Sequence, residues 1–105
     1  MDLRSRVLEL TSLIPEGRVT TYAELARAAG RPRAWRAVGN LLSRNPRPLR
    51  IPCHRVVRSD GRVGGYSLGK RRKVELLRKE GVEVRGGRVD LRRFMFRFSG
   101  VPAGG

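Results

Sequence analysis

A glycine-containing turn between two short helical segments limits the folding options of this chain more than any other feature. Thr21-Tyr22-Ala23-Glu24 fits a capping box, with Thr21 as the cap and Glu24 reaching back to it. A short helix over residues 22–29 follows. Gly30-Arg31-Pro32 makes the turn, and another helix runs over residues 33–43. Two short helices joined this tightly predict a helix-turn-helix.

The flanking segments extend that reading. Leu3, Val7, Leu10 and Ile14 recur at helical spacing, so the first segment is an amphipathic helix, broken by Pro15-Glu16-Gly17. Asn45-Pro46-Arg47-Pro48 is a stiff loop that delivers the chain to Ile51-Pro52-Cys53. Arg58 to Val63 reads as a hairpin with Asp60-Gly61 at its turn. Gly64-Gly65-Tyr66-Ser67-Leu68-Gly69 is rich in glycine. It lacks the Lys-Ser/Thr ending of a phosphate-binding loop and follows no buried strand, which excludes a nucleotide cradle. Residues 70–80 form a helix with Val74 and Leu77 inside and Gly81 as its stop. Residues 83–98 hold a second small hairpin around Gly86-Gly87, then Phe94, Phe96 and Phe98, whose expected role is to cover the core. The expected fold is mostly α: a small helical, winged-helix-like domain with a helix-turn-helix and a short β-hairpin wing. One domain occupies residues 1–98, and residues 99–105 form a flexible tail.

Charge narrows the partners. Lys and Arg number 24 against 9 Asp and Glu, a formal net charge of +15. The cations are spread along the chain, so the field favours polyanions and predicts salt-dependent nucleic-acid binding. Arg dominates over Lys, and Gln is absent, a bias that fits a high-GC or a heat-adapted source. No apolar run is long enough for a transmembrane helix, and no secretory leader opens the chain. One Cys forms no internal disulfide, so a cytoplasmic, DNA-associated monomer is expected. One Cys and one His are too few for structural zinc, and no metal or other cofactor is expected.

Those two residues are adjacent, in Ile51-Pro52-Cys53-His54-Arg55-Val56-Val57. A thiol is a strong nucleophile only as a thiolate, and a neighbouring base can generate one. The bland alternative is a buried, inert Cys beside a structural His. On a polycation, the activated pair points to nucleophilic chemistry on nucleic acid.

Pro52-Cys53-His54-Arg55-Val56 resembles the active-site signature of the O6-alkylguanine-DNA alkyltransferases, the methylated-DNA–protein-cysteine methyltransferases. Residues 15–22, from Pro15-Glu16-Gly17 to Tyr22, resemble that family's entry to its helix-turn-helix. Arg36-Ala37-Val38-Gly39 resembles its recognition helix, Asn45-Pro46 its hinge, Gly64-Gly65-Tyr66-Ser67 its pocket loop and Glu80-Gly81 the end of the following helix. The resemblance covers about residues 3–82. It departs in two ways. Such enzymes usually carry an additional N-terminal domain, whereas this chain begins at the catalytic one. The segment after Glu80 resembles the small alkyltransferase-like proteins, which commonly have Trp in place of the reactive Cys and mark alkylated guanine for excision repair.

The resemblance implies roles. Cys53 would attack the alkyl carbon on guanine O6, His54 would deprotonate the thiol through a water, and Glu80 would orient His54. The thioether product does not hydrolyse, so each molecule acts once. Double-stranded DNA carrying O6-alkylguanine is the implied partner, and the target base must be flipped. Arg36 would fill the vacated stack or simply contact a phosphate. Tyr22 would rotate the phosphate or protonate guanine N3. Tyr66 would wall the pocket, Ser67 would hold O6, and the carbonyls of Cys53 and Val56 would accept from the guanine amine. Asn45 would tie the hinge to the active-site turn, or be a plain turn residue. Thr21, Ala34, Ala37 and Gly39 would line the DNA face, their small size permitting close approach to a minor groove. Trp35 faces the core or broadens the DNA contact. The alternative function is a non-catalytic sensor of alkylated guanine that recruits other repair proteins. A plain helix-turn-helix regulator explains the charge but leaves the Cys-His motif unexplained.

Overall fold

The computed structural model of the chain describes residues 2–45, 47 and 50–98. The chain opens with α1 (Leu3–Thr11), whose N-terminus is capped by Asp2 Oδ1 accepting the Ser5 N–H at 2.7 Å. α1 stops short of Ile14. The Thr11 and Ser12 hydroxyls donate back to the carbonyls of Val7 and Glu9, and Pro15 disfavours helix at the residue before it. Ile14 is nonetheless buried, in the turn that follows.

β1 (Thr20–Thr21) leads directly into α2 (Tyr22–Ala28), and α3 (Trp35–Ser43) completes the helix-turn-helix. The cap of α2 forms as half of a capping box. Thr21 Oγ1 accepts the Glu24 N–H at 3.0 Å, but the Glu24 carboxylate turns elsewhere, to Arg27 and to the backbone N–H of Phe98 at 2.9 Å. A buried carboxylate meets its acceptor capacity better with a guanidinium and a distant N–H than with one local N–H.

A short 3-10 turn, Cys53–Arg55, runs into β2 (Val56–Val57). β2 pairs in parallel with β1, Thr20 opposite Val56 and Thr21 opposite Val57. α4 (Lys70–Lys79), β3 (Val84–Arg85), β4 (Arg88–Val89) and α5 (Leu91–Phe94) follow. β3 and β4 form the antiparallel hairpin expected at Gly86-Gly87. The turn at Asp60-Gly61 also forms, closed by Arg58 N–H to Arg62 O at 2.8 Å. Beyond that bond its flanks turn to other partners, and the β-hairpin of the expected fold is β3–β4. Val56–Val57 is taken by β1, while Val63 N–H donates to Gly87 O and Val89 N–H to Gly61 O. Only glycine suits position 61: its φ is +89°, and a Cβ there would lie 2.6 Å from the Val89 carbonyl oxygen.

Two apolar clusters form the core. Val7, Leu10, Leu25, Val38 and Leu42 join α1, α2 and α3, with Phe98 and Cys53 in the same cluster. Val19, Val57, Val63, Leu77, Val84 and Val89 make the second, under the hairpin. Residues 83–98 therefore cover the core as expected. Phe98 is buried, Phe94 and Phe96 are half-buried, and the segment is stitched to Val19 by Val19 N–H to Phe94 O (2.9 Å) and Phe96 N–H to Val19 O (2.6 Å). The expected flexible tail over 99–105 and the prolines of the 45–48 loop lie outside the described residues.

Candidate active site

The β1–β2 register builds the site. It sets the start of α2 beside the exit of the Cys53–Arg55 turn, so Tyr22 and Cys53 line one pocket although they are far apart in sequence. That pocket has a volume of about 210 Å³, and Gly39, Tyr66 and Ser67 also line it. Cys53 is buried, and burial pushes its thiol pKa up, against a hydrogen bond from Asn45 and the field of Lys73. At neutral pH Cys53 therefore rests as a thiol and not as a preformed thiolate, so nucleophilic chemistry at its Sγ would need a base to take the proton.

The surroundings of His54 suit it to take up such a proton. Its Nε2 lies 3.0 Å from Glu80 Oε2, and its Nδ1 is buried with no hydrogen-bond partner among the described residues. If Nε2 carries the proton donated to Glu80, Nδ1 presents a lone pair. Burial first, aided by the charges of Arg55 and Lys73, lowers the His54 pKa against the pull of Glu80, so the ring rests neutral. Burial alone would raise Glu80, but hydrogen bonds from Arg55 and His54 outweigh it and hold the carboxylate ionised. Arg55 grips Glu80 through two bonds of 2.9 and 2.6 Å and donates to Ile14 O at 2.8 Å. Gly17 permits this junction: its φ is +86°, and a Cβ there would press to 3.3 Å of the Glu80 carbonyl.

Asn45 Nδ2 donates to Ile51 O at 3.2 Å and Asn45 Oδ1 accepts from Arg47 N–H at 2.9 Å, linking the hinge to the chain entering Cys53. Tyr66 packs edge-on to His54, with ring centroids 6.3 Å apart. Burial first, and Cys53 second, push Tyr22 up to about 12, so its phenol keeps its proton. Thr21 is buried and occupied as the α2 cap, while Ala34 is the N-cap of α3 and Ala37 is exposed on it. A Cβ at Gly39 would meet the Tyr22 ring at an ordinary 3.9 Å, so tertiary packing does not demand glycine there. Trp35 does not enter the core; it is 47% exposed, beside an exposed Arg36.

Sequence reading missed two residues. Arg55 was one basic residue among many until the fold carried it to Glu80. Lys73 is fully buried, its Nζ donating to Val56 O at 2.6 Å and Gly65 O at 3.1 Å and lying 3.5 Å from Tyr22 Oη. Burial lowers its pKa to about 7. The available signal was its spacing: Lys73 lies one helical turn before Leu77, on the apolar face of α4. Lys73 also complicates one expectation, because the Val56 carbonyl already accepts this short bond; a guanine amine would need its second lone pair. No cluster of three or more His, Cys, Asp or Glu side chains that could hold a metal forms among the described residues, and no helix there is long and apolar enough to cross a membrane.

The family model of the 6-O-methylguanine DNA methyltransferase, DNA binding domain, matches residues 2–82. The chain belongs to this family. Among curated members and relatives, the bifunctional methyltransferase/endonuclease of Picrophilus torridus is 50% identical over 96 residues, which are 91% of this chain and 32% of that protein. The methylated-DNA–protein-cysteine methyltransferase of Methanothermobacter thermautotrophicus is 51% identical over 86 residues, 81% of this chain and 47% of that protein. The chain thus spans about a third to a half of the length of these two relatives. A solved structure of S. pombe Atl1 in complex with damaged DNA containing O6-carboxymethylguanine superposes with a TM-score of 0.83 at 30% identity, covering 90% of this chain and 94% of that one. The small helical fold described above is the fold of this methyltransferase DNA-binding domain.

Proposed function

We propose that this methyltransferase-family domain repairs DNA by transferring an alkyl group from guanine O6 to Cys53. The observation that carries the reading is the His54–Glu80 pair, with Nδ1 left unpartnered, placed in the turn that holds Cys53. A pure sensor has no use for an oriented base beside a buried thiol. In the reaction, Cys53 Sγ forms a bond to the alkyl carbon as the carbon–O6 bond breaks. The thiol proton passes through a water to His54, whose new charge Glu80 stabilises. The departing guanine gains a proton at N3 from Tyr22, whose phenoxide regains one from solvent water as His54 gives its proton up to solvent, so the net transfer is one proton from thiol to guanine. The product is a stable thioether, and the domain acts once.

The DNA partner is double-stranded and carries O6-alkylguanine. The target carbon is inaccessible in the stack, so the nucleotide is extruded into the Cys53 pocket, where Tyr66 and Ser67 bound it. Arg36, exposed on α3, fills the gap, and Ala34, Ala37 and Gly39 let that helix approach closely. The net charge of +15 supports the phosphate contacts.

Intact mass after incubation with O6-methylguanine DNA tests the proposal. The expected result is a gain of one methyl on Cys53, absent in Cys53→Ala, which still binds the lesion. Methyl transfer to the Ala variant removes Cys53 from the mechanism. The likeness to Atl1 favours a second reading, in which the domain binds the lesion without chemistry; lesion binding with no mass gain in the unaltered chain selects it. Arg36→Ala is expected to slow transfer from duplex DNA at least tenfold more than transfer from the free modified base, which needs no extrusion. Equal slowing on both substrates points instead to a pocket defect.

A further inference from the structure

Trp35 is the chain's only tryptophan, and it opens α3 half-exposed. The Arg36 guanidinium lies over its ring, 4.9 Å from the centroid. Both side chains line a groove of about 480 Å³ that also includes Arg58 and Ser59. The groove shares Tyr22, Gly39 and Gly65 with the Cys53 pocket, so the two adjoin. It combines an aromatic face with two guanidiniums, and among the described residues no carboxylate lines it. A nucleotide suits those walls: its base stacks on an indole, and its phosphate pairs with a guanidinium.

We propose that Trp35 is a stacking platform for the nucleotide next to the extruded guanine on the same strand, exposed to it when Arg36 leaves the indole face for the DNA stack. The inference rests on the flipping role proposed for Arg36. In the free protein one planar group, the guanidinium, covers the ring; in the complex another, a nucleobase, takes its place. The exchange keeps the indole covered in both states, so moving Arg36 costs little apolar hydration. Arg58 holds the phosphate of the stacked nucleotide. An ordinary exposed surface tryptophan has neither the parked cation nor the shared wall with a reactive pocket.

The sole tryptophan supplies the readout. Its fluorescence is followed while the full chain is titrated with duplexes carrying O6-methylguanine, flanked on each side in turn by a normal nucleotide or an abasic one. Quenching is expected with normal flanks and is lost when one particular flank lacks its base, with binding weakened about tenfold. In Trp35→Ala the affinity falls by a similar factor and no longer depends on that flank; Trp35→Phe keeps part of the dependence. Unchanged emission at saturation, or Trp35→Ala retaining the flank dependence, overturns the platform. Mass analysis of the same mixtures separates the two readings. Methylation of Cys53 without any Trp35 response sinks the platform alone, whereas absence of both lesion binding and transfer overturns the repair reading with it.

Discussion

A chain ended at Gly81 is expected to lose most of its folded population. The cut removes Phe98, which is 1% exposed within the helical core, together with Val82, Val84 and Val89 from the second cluster. It also strips Val19 of both backbone partners and Glu24 of the Phe98 N–H. Deleting one buried Phe side chain typically costs about 3–5 kcal/mol, against a total stability of about 5–15 kcal/mol for a domain. Phe98→Ala alone is therefore expected to lower Tm by about 15 °C or more in thermal denaturation followed by circular dichroism. The residual folded fraction is expected to keep the alkyl transfer proposed above, because among the described residues none of the tail lines the Cys53 pocket. A truncated chain of unchanged Tm that no longer binds the lesion would make the tail a binding element and favour the sensor reading.

Glu80→Gln is expected to slow single-turnover transfer by about 10²–10³, the range of a lost general-base contribution. The amide cannot hold the positive charge that forms on His54, and it releases Arg55 from a two-bond ion pair. His54 becomes a weaker base, so the acid limb of the rate profile moves to lower pH while the apparent thiol pKa rises. Stability changes with the same sign. The folded-state pKa of Glu80 lies below its ordinary value of 4.5, so its contribution is present above that pH and is lost as pH falls through the depressed value. In the Gln variant this acid-sensitive contribution is absent. Substitutions at His54 and Glu80 are expected to be strongly non-additive in rate; independent, additive losses would argue against a relay.

Local signals carried much of the architecture. Asp60-Gly61, Gly86-Gly87 and the Thr21 cap are short-range preferences, expressed wherever the fold places them. Helical spacing located α1, the Thr21 cap and the Gly30 turn bounded α2 and α3, and Val74 and Leu77 with the stop at Gly81 marked α4. The motif around Cys53 marked the family, which the match over residues 2–82 shows.

What sequence reading left open depends on contacts between distant residues. Two-residue strands have no readable period, so the parallel β1–β2 pairing that sets Tyr22 beside Cys53 was invisible. The hairpin expected at Asp60-Gly61 closes its turn but finds its next partners at 87–89, and the hairpin of the expected fold is β3–β4. Trp35 was undecided until the packing of α3 left it at the surface. Lys73 and Arg55 were two cations among 24; only burial made one the weakly basic ammonium between two carbonyls and the other the clamp on Glu80. By itself the sequence determined the helical framework, the polycationic character and the adjacency of the only Cys and the only His, all functions of residue type and local spacing. The tertiary structure decided protonation, since desolvation and long-range hydrogen bonds set each pKa: a resting thiol, a neutral imidazole and an ionised carboxylate held by Arg55.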